Sequence, residues 1–210
     1  MKKYLKLLTI SVLIVLKISA QDTLVNKGLK LKYGIKGGIN IANVTETPSP
    51  TVETKSLIGI NAGFFATIPI DTNFAIQPEF NYSQMGATVS GNAFSGGDLK
   101  LILSYFNVPL LAKYYPAKSI ALLAGPQIGF LNSAITKSAN SLSLSPSNDF
   151  SSHVKKLDFS AVFGAELFFS DILYLSGRYQ LGLANVSSST DGVTDKNNGF
   201  TITLNLIISN

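Results

Sequence analysis

The stretch LDFSAVFGAELFF, residues 157–169, decides the fold. Its odd positions, Leu157, Phe159, Ala161, Phe163, Ala165, Leu167 and Phe169, are all apolar. Its even positions include Asp158, Ser160, Gly164 and Glu166. A period of two gives an extended strand one greasy face and one wet face, whereas a helix would scatter the same residues around its circumference. Alternation alone does not say which face meets water. The rest of the chain supplies that.

An export signal comes first. Lys2 and Lys3 precede a mostly apolar stretch from Leu7 to Leu16, and Ile18-Ser19-Ala20 forms a cleavage site before Gln21. The stretch is too short, and too interrupted by Thr9 and Ser11, for a spanning helix, which needs about 20 apolar residues. Residues 1–20 are therefore expected to be a cleaved signal peptide and residues 21–210 one barrel domain. Residues 1–20 hold four of the 17 basic residues and no acid, so 13 basic residues remain against 12 acidic ones. That near-neutral balance gives no footing for a nucleic-acid partner. The chain has no Cys, which excludes disulfides, thiolate metal sites and a lipidated N-terminal Cys.

Turn signals divide the remainder into eight strands, expected at Leu31–Asn43, Leu57–Ile68, Phe74–Met85, Leu99–Tyr115, Ser119–Ser133, Lys155–Phe169, Leu173–Val186 and Gly199–Ile208. Their connections alternate in length. Long ones cover 44–56, 86–98, 134–154 and 187–198, and short ones sit near Asp71–Asn73, Pro116–Lys118 and Ser170–Ile172. Short inner turns, long outer loops and an even strand count are the pattern of a transmembrane barrel with its apolar face toward lipid. The expected fold is an all-β, eight-stranded, antiparallel up-and-down transmembrane β-barrel in the cell outer membrane. A soluble sandwich has no reason for such regular alternation.

The other strands sort the same way. Phe74, Ile76, Pro78, Phe80 and Tyr82 oppose Gln77, Glu79, Asn81 and Ser83. Leu173, Leu175, Tyr179, Leu181 and Leu183 oppose Tyr174, Ser176, Arg178 and Gln180. Tyr33, Ile35, Ile39 and Ile41 oppose Lys32, Lys36 and Asn40. The second and fifth strands are apolar on both faces in places, and Leu99–Leu103 is ambiguous. Tyr33, Phe74, Tyr82, Tyr114, Phe159 and Phe200 fall near strand ends, where aromatic girdles belong.

The segments GIKGGINIAN (34–43), FAIQPEFNYSQMG (74–86), YFNVPLLAKYYP (105–116) and LSGRYQLGLANV (175–186) resemble the recurring strands of the PorT-type, "porin family" outer-membrane barrels of Bacteroidota. The resemblance covers nearly all of residues 21–210. It implies the barrel fold and dealings with the barrel assembly machinery and outer-membrane lipid, but no particular activity. Two features depart from the family pattern. The chain ends Ile208-Ser209-Asn210 where such barrels commonly end on an aromatic residue, and no periplasmic module that would grip peptidoglycan is expected.

The candidate interior site is an ion-pair network of Glu79, Glu166 and Arg178, the last being the only Arg in the chain. A three-residue turn at Ser170–Ile172 sets Gly164 opposite Arg178 and makes Glu166 its diagonal neighbour. Counting from the turns puts Glu79 at a similar depth across the barrel, and a guanidinium can bridge two carboxylates. The expected role is a structural network neutralising lumen charge, since small barrels fill with side chains. A substrate or ion site is the other reading. On these three residues alone, losing Arg178 would strand two carboxylates, and Glu166→Gln would relieve part of the cost.

Catalysis is not expected. An Arg between Glu79 and Glu166 removes the general acid a glycosidase needs. His153, the sole His, lies beside Ser151, Ser152 and Asp149 in a polar stretch, a neighbourhood that a Ser-rich loop produces by chance; a lipid-modifying enzyme is the distant alternative. One His and no Cys give no transition-metal site of usual composition, and no cofactor motif is present. The expected function is an integral barrel with a side-chain-filled lumen. It would act through an envelope partner at its outer loops 44–56, 134–154 and 187–198 or at its rim, with small-solute transport as the alternative. A chain of about 190 residues should fractionate with the outer membrane and migrate differently on gels when unheated, because closed barrels resist detergent unfolding. Recovery as a soluble periplasmic protein would overturn the reading.

Overall fold

The computed structural model describes residues 30–47, 54–89, 98–138, 148–149, 151, 154–187 and 194–209. Among them are eight long strands: β1 (Lys32–Thr47), β2 (Thr54–Pro69), β3 (Phe74–Val89), β4 (Leu99–Ala117), β5 (Ile120–Ser138), β7 (Leu157–Phe168), β8 (Leu173–Gly182) and β9 (Thr194–Ile207). A two-residue strand, β6 (Asn148–Asp149), pairs with the outer end of β5. Each long strand is antiparallel to the next, and β9 pairs with β1 from Gly34↔Ile207 to Thr47↔Thr194. The sheet is thereby closed, an eight-stranded antiparallel barrel with no edge left to pair.

The inner turns are tight and held by local side chains. Asp71 Oδ1 accepts the backbone N–H groups of Asn73 and Phe74 at 2.7 and 2.8 Å, an Asx-type turn. Ser170 Oγ takes the Leu173 N–H at 3.1 Å. Lys118 and Ser119 alone link β4 to β5, with Ala117 opposite Ile120.

At the other end the strands run further than the turn signals imply. β1 continues to Thr47, β2 begins at Thr54, β3 runs to Val89, β5 reaches Ser138 and β9 starts at Thr194. The expected loops 44–56, 86–98, 134–154 and 187–198 are therefore partly strand. Their Thr, Ser, Asn and Asp residues read as loop because they lack an apolar face, yet Glu46↔Asp195 and Leu101↔Thr136 keep the ladder going. Above the lipid both faces are wet, so periodicity fades while backbone pairing persists. β8 is shorter than expected and stops at Gly182.

The two faces divide as alternation requires. Tyr33, Phe64, Phe80, Phe106, Phe130, Phe163 and Phe200 are exposed on the outside, while Glu79, Lys113, Glu166 and Arg178 are buried within. An outward apolar belt beside a buried polar interior inverts the soluble pattern and fits lipid outside. The ambiguous start of β4 resolves with Leu101 and Leu103 against an apolar cluster inside.

Register shifts interrupt the β2–β3 ladder once and the β4–β5 ladder at Ser104/Tyr105 and Tyr114/Ala117. Between Ser56 and Asn61 the β2–β3 register shifts, beside Gly86 at φ +129°, a left-handed conformation that a side chain would strain. Asn40 reaches across and donates to the Gln84 carbonyl at 2.9 Å and to Ser83 Oγ at 2.8 Å, satisfying groups at that bulge. In the β3–β4 ladder, pairing skips Glu79 and Phe80 where Pro109 brings no N–H.

Ile202 lies mid-strand on the lipid face of β9, and Thr203 beside it is buried in the lumen. Ile202→Arg should lower unfolding free energy in vesicles by about 2–4 kcal/mol, as a charge near the bilayer midplane does. Urea titration followed by gel mobility checks it; a neutral result would mean Ile202 does not face lipid.

Candidate functional site

The lumen is layered. At the inner mouth an open vestibule of about 830 Å³ ends against the rings of Tyr115, Phe168 and Tyr174. Phe168 and Tyr174 stack with centroids 4.7 Å apart, and Phe65 meets Tyr174 edge-on at 5.7 Å. Lys113 Nζ sits behind this cap, 5.4, 5.6 and 5.2 Å from the Tyr115, Phe168 and Tyr174 centroids, where ring faces favour a cation.

Next comes the charged centre. Arg178 on β8 places Nη1 at 2.8 and 2.9 Å from the two oxygens of Glu79 on β3, and Nη2 at 3.0 Å from Glu166 Oε1 on β7. Its Nε donates to Ser176 Oγ at 2.8 Å, so the guanidinium plane is fixed along its length. The register sets Gly164 opposite Arg178. A Cβ at Gly164 would overlap the Gly177 carbonyl and press on the Arg178 side chain, so only glycine lets the arginine lie flat there. Glu79, Glu166 and Arg178 thus meet in one cluster, their side chains at most 4% exposed.

Two lysines complete the cluster. Lys36 Nζ lies 2.5 Å from Glu79 Oε2, and Lys113 Nζ lies 2.5 Å from Glu166 Oε2. The expected three-residue network left them out. Lys36 reads as a lumen residue from the sequence, but partner choice depends on how far each side chain leans across the bore, which alternation does not specify. Gln77 joins the halves, donating to Glu79 Oε1 at 2.7 Å while its own oxygen receives Lys113 at 2.9 Å and Thr67 at 2.6 Å. Asn81 adds a donor to Glu79 Oε2 at 3.0 Å. Every carboxylate oxygen of Glu79 and Glu166 therefore faces a cation.

Outward of this centre lies an amide layer, in which Gln127 donates to Ser160 Oγ at 3.1 Å and to Gln180 Oε1 at 3.0 Å. Asn107 is buried at similar depth. Asn197 then donates to Tyr105 Oη and Asp158 Oδ2, both at 3.1 Å. Above them Ala42, Met85, Leu103, Ala134, Val154 and Val186 form an apolar cap. Among the described residues the buried cations Lys36, Lys113 and Arg178 match the buried acids Glu79, Glu166 and Asp158 in number. His153 lies outside the described residues, and among those described no cluster of His, Cys, Asp or Glu could hold a metal ion.

A closed barrel with a greasy outside and a polar inside is what crossing the outer membrane by strands requires, and the family comparison agrees. The family described as "Outer membrane protein beta-barrel domain" matches residues 19–188. The chain belongs to that family. Among curated proteins none matches the sequence. Of solved structures, the chain is similar to Ail, the attachment invasion locus protein of Yersinia pestis, at 13% identity and TM-score 0.47, covering 86% of this chain and 100% of that one. Neisserial surface protein A follows at 11% and 0.47, covering 83% and 96%. OprG of Pseudomonas aeruginosa follows at 10% and 0.41, covering 84% and 92%. As a member of this barrel family the protein is an integral outer-membrane protein.

Arg178→Ala should cost about 3 kcal/mol, since it removes charge-assisted hydrogen bonds to two buried carboxylates. The lysines decide how a second substitution acts. Without Arg178, Lys36–Glu79 and Lys113–Glu166 remain as two matched pairs, so adding Glu166→Gln strands Lys113 and should lower stability further. The heat-modified gel transition of the single and double variants measures both. Recovery on adding Glu166→Gln would mean that Lys113 does not pair with Glu166.

Proposed function

We propose that this barrel is a structural or interaction protein whose recognition lies outside its bore, at the outer rim and loops. The observation that carries the reading is the filled lumen. The aromatic inner cap, the five-residue charged centre and the apolar outer cap lie in series along the bore. Eight strands enclose a bore only about wide enough for side chains, so recognition has to use surfaces that point away from it.

The rim gives such a surface. A strand crosses the bilayer in about 9–11 residues. β4 and β5 are 19 residues each, and their inner ends turn at once through Lys118–Ser119. The surplus therefore stands above the outer lipid face as continued sheet. A rigid scaffold carrying loops from its top suits binding to an envelope partner through residues 44–56, 134–154 and 187–198. In this reading the leader ends at Ala20, the assembly machinery inserts residues 21–210, and outer-membrane lipid surrounds the belt. No nucleic acid is a partner, no reaction is catalysed and no cofactor is bound. The PorT-type resemblance to Bacteroidota barrels belongs to the same reading.

Purified protein in planar bilayers should show no stable large conductance, and vesicles containing it should not swell in sugar solutions. Crosslinking in native outer membranes, with photoreactive residues at 51 and 190, should capture a discrete envelope component. Reproducible sugar permeation by the monomer would replace this reading with transport.

A further inference from the structure

The buried charges match in number but not in place. Lys36, Lys113 and Arg178 all serve Glu79 and Glu166. The third acid, Asp158, lies on β7 well before Glu166, about 26 Å away along the strand. Among the described residues no cationic nitrogen stands within ion-pair distance of Asp158. A buried carboxylate is costly unless positive charge and hydrogen bonds come with it. The side chains around Asp158 give it one donor, Asn197 Nδ2, which lies 3.1 Å from Oδ2 and is shared with Tyr105 Oη. Asp158 Oδ1 has no hydrogen-bond partner, and neither has Asn197 Oδ1 on the other branch of the same amide.

The facing strand leaves room beside these oxygens. Gly129 of β5 stands opposite Asp158 in the ladder. A Cβ at Gly129 would lie 3.5 Å from Asp158 Cβ and only 2.7 Å from Asn107 Oδ1. The glycine thus makes a small cradle, over which Asn107 turns a third oxygen. Asn107, Asp158 and Asn197 are at most 4% exposed. The Gln127–Gln180 pair lies on the inner side of this chamber, and the apolar cap lies on its outer side.

We propose that the chamber holds one monovalent metal cation, with Asp158 Oδ1 as its charged ligand and Asn107 Oδ1 and Asn197 Oδ1 as neutral ones. Carboxylate and amide oxygens are hard donors that suit hard cations rather than transition metals. One carboxylate offsets one positive charge, and a divalent ion would leave the sealed chamber charged. A proton does not meet the need: on Oδ1 it has no acceptor, and on Oδ2 it would face the Asn197 N–H. Water can donate to Oδ1 but brings no charge. A cation answers the charge and both unpartnered oxygens together. The site is independent of the proposed role of the outer loops.

The test refolds the barrel from urea into zwitterionic detergent with sodium, potassium or choline chloride as the sole salt. Equal ionic strength holds screening constant. The heat-modified transition of the unaltered protein should lie several degrees higher in sodium or potassium than in choline, which is too large for the chamber, and the gain should grow with metal concentration. D158N should unfold at or above the unaltered protein's choline midpoint and respond alike to all three salts. G129A keeps the carboxylate but fills the cradle, so it should lose the gain without recovering stability; it decides the matter if D158N does not fold. D171N, at the exposed inner turn, should keep the full gain. Equal midpoints of the unaltered protein in all three salts would overturn the proposal and leave the carboxyl to a proton. A gain that survives in D158N or G129A would overturn it too, as would a larger gain from calcium at matched ionic strength.

Discussion

Arg178 spans the bore, and the rest of the interior is arranged around it. Its guanidinium ties β8 to β3 through Glu79, a partner 99 residues away, and to β7 through Glu166. A charge in that position is tolerable only if its counter-charges arrive with it. Gly164 gives the side chain room to lie flat, and Ser176 fixes its stem. Gln77 spaces the two carboxylates, Lys36 shares Glu79 Oε2 with the guanidinium, and Lys113 takes the Glu166 oxygen that the guanidinium leaves. The aromatic inner cap and the amide layer then separate this cluster from water at either end. Removing Glu79 or Glu166 leaves a buried lysine without its counter-charge.

The fold was legible in the sequence because each strand had to satisfy lipid on one side and packed polar groups on the other. That double demand writes period two into Leu157–Phe168 and Leu173–Gly182 more firmly than a soluble sheet would. Legibility fails where the demand lapses. Above the lipid, Thr45, Lys196 and Thr136 sit on paired strands although nothing in their polarity says so. The start of β4 was ambiguous for the opposite reason. There the bore holds an apolar cap, so Leu101 and Leu103 face inward and both faces are greasy.

The candidate site shows the same division. Counting residues from the tight turns sets the depths of Glu79, Glu166 and Arg178, because strand rise is nearly constant. The orientation of long side chains is another matter. Lys36 and Lys113 have four rotatable bonds each, and their choice of carboxylate emerges only once all eight strands surround them. Bulges add to the gap. The shift between Ser56 and Asn61 and the left-handed Gly86 change local register with no more signal than a glycine in a strand.

The seam between β1 and β9 joins the first described strand to the last, and it sets an order of events. Until β9 arrives, β1 offers a bare row of N–H and C=O groups, which hydrocarbon does not accept. The charged cluster adds a second lock: Lys36 sits on β1, one strand from Glu79's hairpin, while Arg178 comes from the strand beside β9. A partly zipped sheet would thus present both an open edge and unmatched charge to lipid. Insertion and closure are thereby coupled into one concerted step, and a nascent chain lacking its last strand has no resting place in the bilayer.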